Sequence, residues 1–403
     1  MANFLPAKLT PHGNASMALN PETSTKAAAT KNPLGLSKRE CRALLDCVMG
    51  GHLGRNELRW PVMIEAAKRH YVAPLMASHL DLEKLPQQAR YELEQSAEVA
   101  RKRADKASRA LAPILDKVQP LNLPLLLFKG PVLSESLYPR RELRSFYDLD
   151  LLVRKEDIET YEQAIFDVGY RMARRHASDL VWMTELRKLH TGEETLPAEV
   201  TRSYYLNHHC HLPLMPLNPE QGMPIDLHWA LFPRKQIVLP EDEIWRRAVP
   251  ITLDGRRIFT LSRVDNLLYL CLHVSLDGYD RLRLIKLVDI ALASKDLTDL
   301  EWKETIALAQ CYGVAKPFFM GVWLAHRAAR LSLPVMVERM KSASLKRTFL
   351  AAVLFERSLL NRDSALAEAA WDWALGRSNL KTIGKMCRTL ARNAYRRVKH
   401  IGG

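Results

Sequence analysis

The chain has 403 residues, 47% of them hydrophobic and 26% charged, with 59 Lys and Arg against 45 Asp and Glu for a net charge of +14. That length allows two or three globular domains, and no apolar run reaches the roughly 18–20 residues of a membrane-spanning helix, which excludes a transmembrane segment. The six cysteines (Cys41, Cys47, Cys210, Cys271, Cys311 and Cys387) are scattered without a CxxC pair. This excludes a disulfide-framed scaffold and predicts reduced thiols in a cytoplasmic protein. The positive excess suits a polyanionic partner, whether NTP, nucleic acid or an anionic membrane surface, without choosing among them.

Residues 1–37 are rich in Ala, Thr, Asn and Pro and are predicted to be a disordered tail without the basic start and apolar core of a secretory signal. Residues 38–120 read as a helical segment. Helical periodicity runs from Ser37 to Leu82 with breaks at Gly50-Gly51 and Pro61, and a longer charged helix spans Pro86 to Val118, stopped by Pro120. The character changes over 121–261. Leu123–Phe128 has strand length, Lys129-Gly130-Pro131 breaks it, and Val132–Tyr138 reads as a helix with Pro131 at its first position. Tyr147–Val153 is a second strand, and Lys155–Val168 a helix closed by Gly169. Met172–Leu189 is predicted helical. His211–Leu217 and Pro224–Leu231 are predicted strands joined by a Pro-Glu-Gln-Gly turn, and Val249–Thr260 a hairpin with Asp254-Gly255 at its tip. Residues 262–377 read as a C-terminal helical domain with helices at 263–276, 280–295, 301–312, 315–331, 334–360 and 363–376. Residues 378–403 form a basic helix, with Lys381, Lys385, Arg388, Arg392, Arg396, Arg397 and Lys399. Its apolar stripe packs on the body, or its charged side meets an anionic membrane or nucleic-acid phosphate.

The chemistry is carried by the stretch from Phe128 to Val153. Asp148 and Asp150 alternate at the start of an apolar strand, so both point to one face while Leu149 and Leu151 point to the other. Two carboxylates this close repel unless a cation lies between them. Hard oxygen donors suit Mg²⁺, with Mn²⁺ as the alternative ion, and two such metals can serve an attacking oxygen and a leaving pyrophosphate. Asp226 in Ile225-Asp226-Leu227-His228-Trp229 is the candidate third carboxylate. His228, on the same face, is a candidate contact to nucleotide or acceptor, or a packed core histidine. Gly130, between a strand and a helix start, can present backbone N–H groups to phosphate. Lys129 and Arg144 are candidate phosphate ligands, with a plain ion pair as the other reading of Arg144. His208-His209-Cys210-His211 cannot all ligate one zinc ion if they lie on a strand, because adjacent side chains point to opposite faces. His273 and Asp289 read as polar anchors between the helical domain and the sheet.

Lys129-Gly130, Arg144, Asp148 to Val153 and Ile225 to Trp229, followed by Leu261 to His273, Leu284 to Ile290 and Glu301-Trp302, resemble a bacterial nucleotidyltransferase family of the DNA polymerase β-like superfamily, over roughly residues 37–335. The resemblance implies an α+β fold with a mixed β-sheet and flanking helices, here extended by N-terminal and C-terminal helical segments. It also implies a Mg²⁺–NTP site held by Asp148, Asp150 and Asp226, and transfer of a nucleoside monophosphate with release of pyrophosphate. The acceptor stays open: a small molecule, a glycan precursor, a protein side chain or an RNA end. The superfamily's usual Gly-Ser is Gly130-Pro131 here, so no serine hydroxyl stands at that position. The alternative function is a nucleotide-binding regulatory protein on the same fold.

Overall fold

The computed structural model describes residues 36–51, 58–173, 198–233, 237–276 and 282–339. The predicted tail, most of the predicted 172–189 helix and the basic C-terminal helix lie outside these residues. Among the described residues are thirteen helices and one seven-stranded mixed sheet, an α+β fold. No helix among them is long and apolar enough to cross a membrane.

The N-terminal helices are α1 (Lys38–Val48), α2 (Trp60–Arg69), α3 (Ala73–His79) and the 32-residue α4 (Gln87–Val118). Ser37 and Glu40 close a capping box on α1, and Arg59 forks onto the same Glu40 carboxylate at 2.8 and 2.6 Å, fixing the entry to α2. Pro61 does not break a helix. It stands in the first turn of α2, where the missing N–H costs nothing.

The centre alternates β1 (Leu125–Phe128), α5 (Gly130–Leu137), β2 (Leu149–Val153), α6 (Ile158–Asp167), β3 (Tyr170–Met172), α7 (Ala198–His208), β4 (His211–Pro216), β5 (Ile225–His228), α8 (Glu241–Arg247), β6 (Val249–Leu253) and β7 (Arg256–Thr260). The sheet order is β3-β4-β5-β2-β1-β7-β6, with β2/β5 and β1/β7 parallel and the other pairs antiparallel. Asp254 and Gly255 turn the β6–β7 hairpin with φ of 47° and 77°, the left-handed pair that an Asp-Gly tip supplies. Two short elements carry no sequence expectation. β3 has three residues, and Met172 ends it where a helix start is predicted; α8 starts directly after Pro240.

Strand alternation divides the core in two. Leu127, Leu149, Leu151, Val153, Ile225 and Leu227 face one cluster with Ile114 of α4 and Tyr161 of α6. Leu126, Phe128 and Leu152 face another, built with α9 (Arg263–Leu276), α10 (Leu284–Lys295) and α12 (Ala315–Ala329). Two further helices, α11 (Asp299–Cys311) and α13 (Val335–Arg339), complete the helical side. At the α9–α12 contact a Cβ on Gly321 would meet Cys271 Cα at 2.6 Å and its carbonyl oxygen at 2.9 Å. Backbone cannot yield as a side chain can, so Gly321→Ala is expected to destabilise the protein by about 1–3 kcal/mol through overpacking, measured as a lower midpoint of thermal unfolding.

Candidate active site

The site lies on the second of those two faces. Phe128 of β1 pairs in register with Asp150 of β2, Asp150 with Asp226 of β5, and His228 of β5 with His211 of β4. Directly paired residues share a face, so four strands project Phe128, Asp150, Asp226, His228 and His211 to one side. Asp150, Asp226 and His228 each bring a ligand atom within 4.8 Å of the other two. Asp148 stands one residue before β2. It is half-buried and is not part of that triplet, but its carboxyl lies close enough to feel Asp150, Lys129 and Arg144. Burial, then the charge of Asp150, raises it to about 6.

Asp150 is 1% exposed and would be costly as a lone charge. Two groups answer it. Lys129 Nζ donates to Asp150 Oδ1 at 2.7 Å, and His228 Nε2 lies 3.1 Å from the same oxygen. Burial alone would raise the Asp150 carboxyl, but the Lys129 ammonium and the His228 hydrogen bond outweigh it and hold it well below its usual range. Burial likewise works against the Lys129 charge, and Asp150 overrides it, so Lys129 stays protonated. Its ammonium also lies 5.1 Å from the Phe128 ring centre and 5.6 Å from that of Tyr269 on α9, an aromatic wall no sequence motif announced.

Lys129 has φ 54°, in the left-handed region that a side chain rarely enters, and the next residue begins α5. Such a conformation costs on the order of 1–3 kcal/mol and is held here by the Asp150 contact and the flanking elements. At Gly130 an added Cβ would meet the Asp148 carbonyl oxygen at 3.1 Å and the Phe146 ring at 3.4 Å. The turn therefore brings the start of α5 against the backbone of the Asp-Leu-Asp strand. Pro131 is buried in the first turn, and the nearest hydroxyl, Ser134, is spent on the Pro131 carbonyl.

Arg144 makes a buried ion pair, the second of the two readings open to it. Its guanidinium forks onto Asp289 of α10 with two bonds of 2.8 Å, while Tyr138 donates to Asp289 at 2.7 Å. Arg144 Nη1 also reaches the Gly130 carbonyl at 3.4 Å. With Arg144 and Asp289 both buried, this network anchors the helical side to α5. Burial opposes the Arg144 charge, and Asp289 more than restores it.

His211 and Cys210 extend the site where strand alternation predicted divergence. Cys210 precedes β4 and is not bound by its alternation, so Cys210 Sγ lies 3.9 Å from His211 Nδ1. His211 Nε2 lies 3.9 Å from Asp226 Oδ1. Burial pushes the Cys210 thiol up to about 12, which rules it out as a free nucleophile. Burial, then His228, pulls His211 down to about 2, so it is a neutral imidazole. His228 is also lowered, by burial first, and its Nδ1 is buried without a hydrogen bond, although the Ala230 backbone nearby favours a proton on the ring.

A paired-carboxylate face beside a strand-to-helix turn bearing a lysine is an arrangement for holding a charged phosphate ester through cations. Comparison with known proteins agrees with that chemistry. No curated protein matches the chain. The model of a family described as uncharacterised nucleotidyltransferase matches residues 56–330, which spans α2 to α12 and every residue of the site. The chain belongs to this nucleotidyltransferase family, and it is a transferase enzyme.

Proposed function

We propose that the chain transfers a nucleoside monophosphate from a Mg²⁺-bound NTP to an acceptor, releasing pyrophosphate, with Asp148, Asp150 and Asp226 as the metal-holding carboxylates. The observation that carries this reading is the register of Asp150 and Asp226 on adjacent parallel strands, with ligand atoms within 4.8 Å. The donor set fits a hard divalent ion, Mg²⁺ or Mn²⁺: carboxylate oxygens dominate, and the Lys129 ammonium on Asp150 is a monovalent cation in the same electrostatic role. When bound, the ion would neutralise phosphate charge and polarise the phosphorus centre.

The chain's own residues do the rest. Lys129, released from Asp150 or shared with it, meets the triphosphate as a point charge. The N–H groups at the start of α5 orient toward the same anion, with Gly130 allowing the close approach. His228 holds the Asp150 carboxylate in one orientation through Nε2. Asp226, 28% exposed where Asp150 is sealed, is the carboxylate able to take the acceptor's proton. The cytoplasm, which supplies NTP, suits a chain whose described cysteines form no disulfide.

The second reading, a nucleotide-binding protein without turnover, draws on Pro131 in place of a serine and on Lys129 already occupying Asp150. One experiment separates the two: pyrophosphate release from each of the four NTPs with Mg²⁺, with and without lysate fractions as acceptor, beside nucleotide calorimetry. Release that vanishes in Asp148→Asn/Asp150→Asn supports transfer; binding with no release under any fraction supports the second reading.

The Asp148 carboxyl adds a pH dependence. In the metal-free fold it takes up a proton below about 6, above its ordinary value. The folded state then binds more protons than the unfolded one between that ordinary value and 6, so its contribution to stability falls as pH rises through that window. Metal must displace this proton. Mn²⁺ affinity by calorimetry is expected to be flat above pH 7 and about tenfold weaker at pH 5, and Asp148→Asn should remove the dependence.

A further inference from the structure

Beside the acidic pair, two side chains that the transfer reaction leaves aside, Cys210 and His211, gather around His228, whose Nδ1 that reaction does not use. Cys210 Sγ and a nitrogen from each of His211 and His228 lie within 4.8 Å of one another. The two histidines are oriented alike. Each turns Nε2 to a carboxylate, His228 to Asp150 at 3.1 Å and His211 to Asp226 at 3.9 Å. Each leaves Nδ1 outside that contact: His211 Nδ1 lies 3.9 Å from the sulfur, and His228 Nδ1 is buried with no hydrogen bond. A histidine that ligates a metal almost always directs its second nitrogen to a carboxylate or carbonyl, which fixes the tautomer.

We propose that Cys210, His211 and His228 form a Zn²⁺ site, with Nδ1 of each imidazole and the Cys210 sulfur as ligands. Distances support it. Zn–S bonds of about 2.3 Å and Zn–N bonds of about 2.0–2.1 Å at a tetrahedral angle place sulfur and nitrogen about 3.6 Å apart. The 3.9 Å between Cys210 Sγ and His211 Nδ1 is a few tenths of an ångström longer. One thiolate and two imidazoles are a donor set for a borderline ion and a poor one for Mg²⁺. The fourth position falls to water or to a substrate atom. Binding releases the thiol proton to solvent and ties the start of β4 to β5. The ion would thereby brace both histidines against the carboxylates they orient.

The test is a titration of chelator-stripped full-length protein with Co²⁺, read by absorbance, followed by displacement with Zn²⁺. One equivalent should produce tetrahedral cobalt bands together with a sulfur-to-cobalt charge-transfer band, all of them removed by one equivalent of Zn²⁺. Cys210→Ser should abolish the sulfur band, and His211→Ala should weaken Co²⁺ affinity by at least about tenfold. A Co²⁺ spectrum without a sulfur band in the wild type would overturn the proposal, because the ion would then sit on carboxylates and imidazole alone; so would a sulfur band that survives Cys210→Ser. Zinc X-ray absorption on the wild type needs no variant. A sulfur shell at about 2.3 Å beside nitrogen at about 2.0–2.1 Å supports the site, and light scatterers alone contradict it. The site and the transfer reaction fail separately, since the sulfur signature does not depend on pyrophosphate release.

Discussion

Arg144→Ala is expected to lower the thermal unfolding midpoint by about 5 °C, from a loss of about 3–5 kcal/mol. The reason is what the substitution leaves behind. Asp289 is 1% exposed, and its two strongest partners are the guanidinium nitrogens at 2.8 Å. Without them the buried carboxylate keeps, among the described residues, the Tyr138 hydroxyl alone. The Gly130 carbonyl also loses its contact with Nη1. Replacing both members, as in Arg144→Met/Asp289→Leu, should cost less than the sum of the single changes, because no unpaired charge remains. A double variant as unstable as the sum would show that the pair is not the unit that matters.

Asp150→Asn is expected to reduce turnover by at least about 10²–10³-fold, the scale on which removing one preorganised electrostatic group acts. It should also lower stability, since Lys129 is then a buried ammonium without its carboxylate. These two effects can be pulled apart. Asp150→Asn/Lys129→Gln carries no buried unpaired charge and should regain much of the lost stability while remaining inactive. If the double variant recovered turnover along with stability, Asp150 would be a structural partner of Lys129 and nothing more.

Much of this architecture is legible in the sequence because it rests on local rules. The Asp254-Gly255 turn, the alternation at Leu149-Asp150-Leu151 and the strand-to-helix break at Lys129-Gly130-Pro131 each follow from a few adjacent residues, whereas Asp148 falls one residue before the strand it is expected to start. Asp226 could be named from an apolar strand bearing one acid, and the structure sets it in register with Asp150. What escaped the sequence is non-local. Arg144 and Asp289 are 145 positions apart, and nothing in either segment says that one answers the other. Tyr269 lines the Lys129 pocket from a helix whose own pattern marks it only as a buried aromatic. β3 is three residues long, too short for a period to register. Alternation would part Cys210 from His211 only if both lay on the strand; β4 begins at His211, and the Cys210 sulfur lies 3.9 Å from His211 Nδ1.

In the proposed reaction the α-phosphorus of an NTP moves to an acceptor while pyrophosphate leaves. Its most direct test is parallel incubation of the wild-type chain with α-labelled and γ-labelled NTP, Mg²⁺ and the acceptor fraction, with Asp150→Asn/Asp226→Asn as control. The expected result is α-label bound to acceptor, γ-label in pyrophosphate alone, and loss of both signals in the control. Transfer of γ-label to the acceptor, or α-label transfer undiminished in the control, would contradict it.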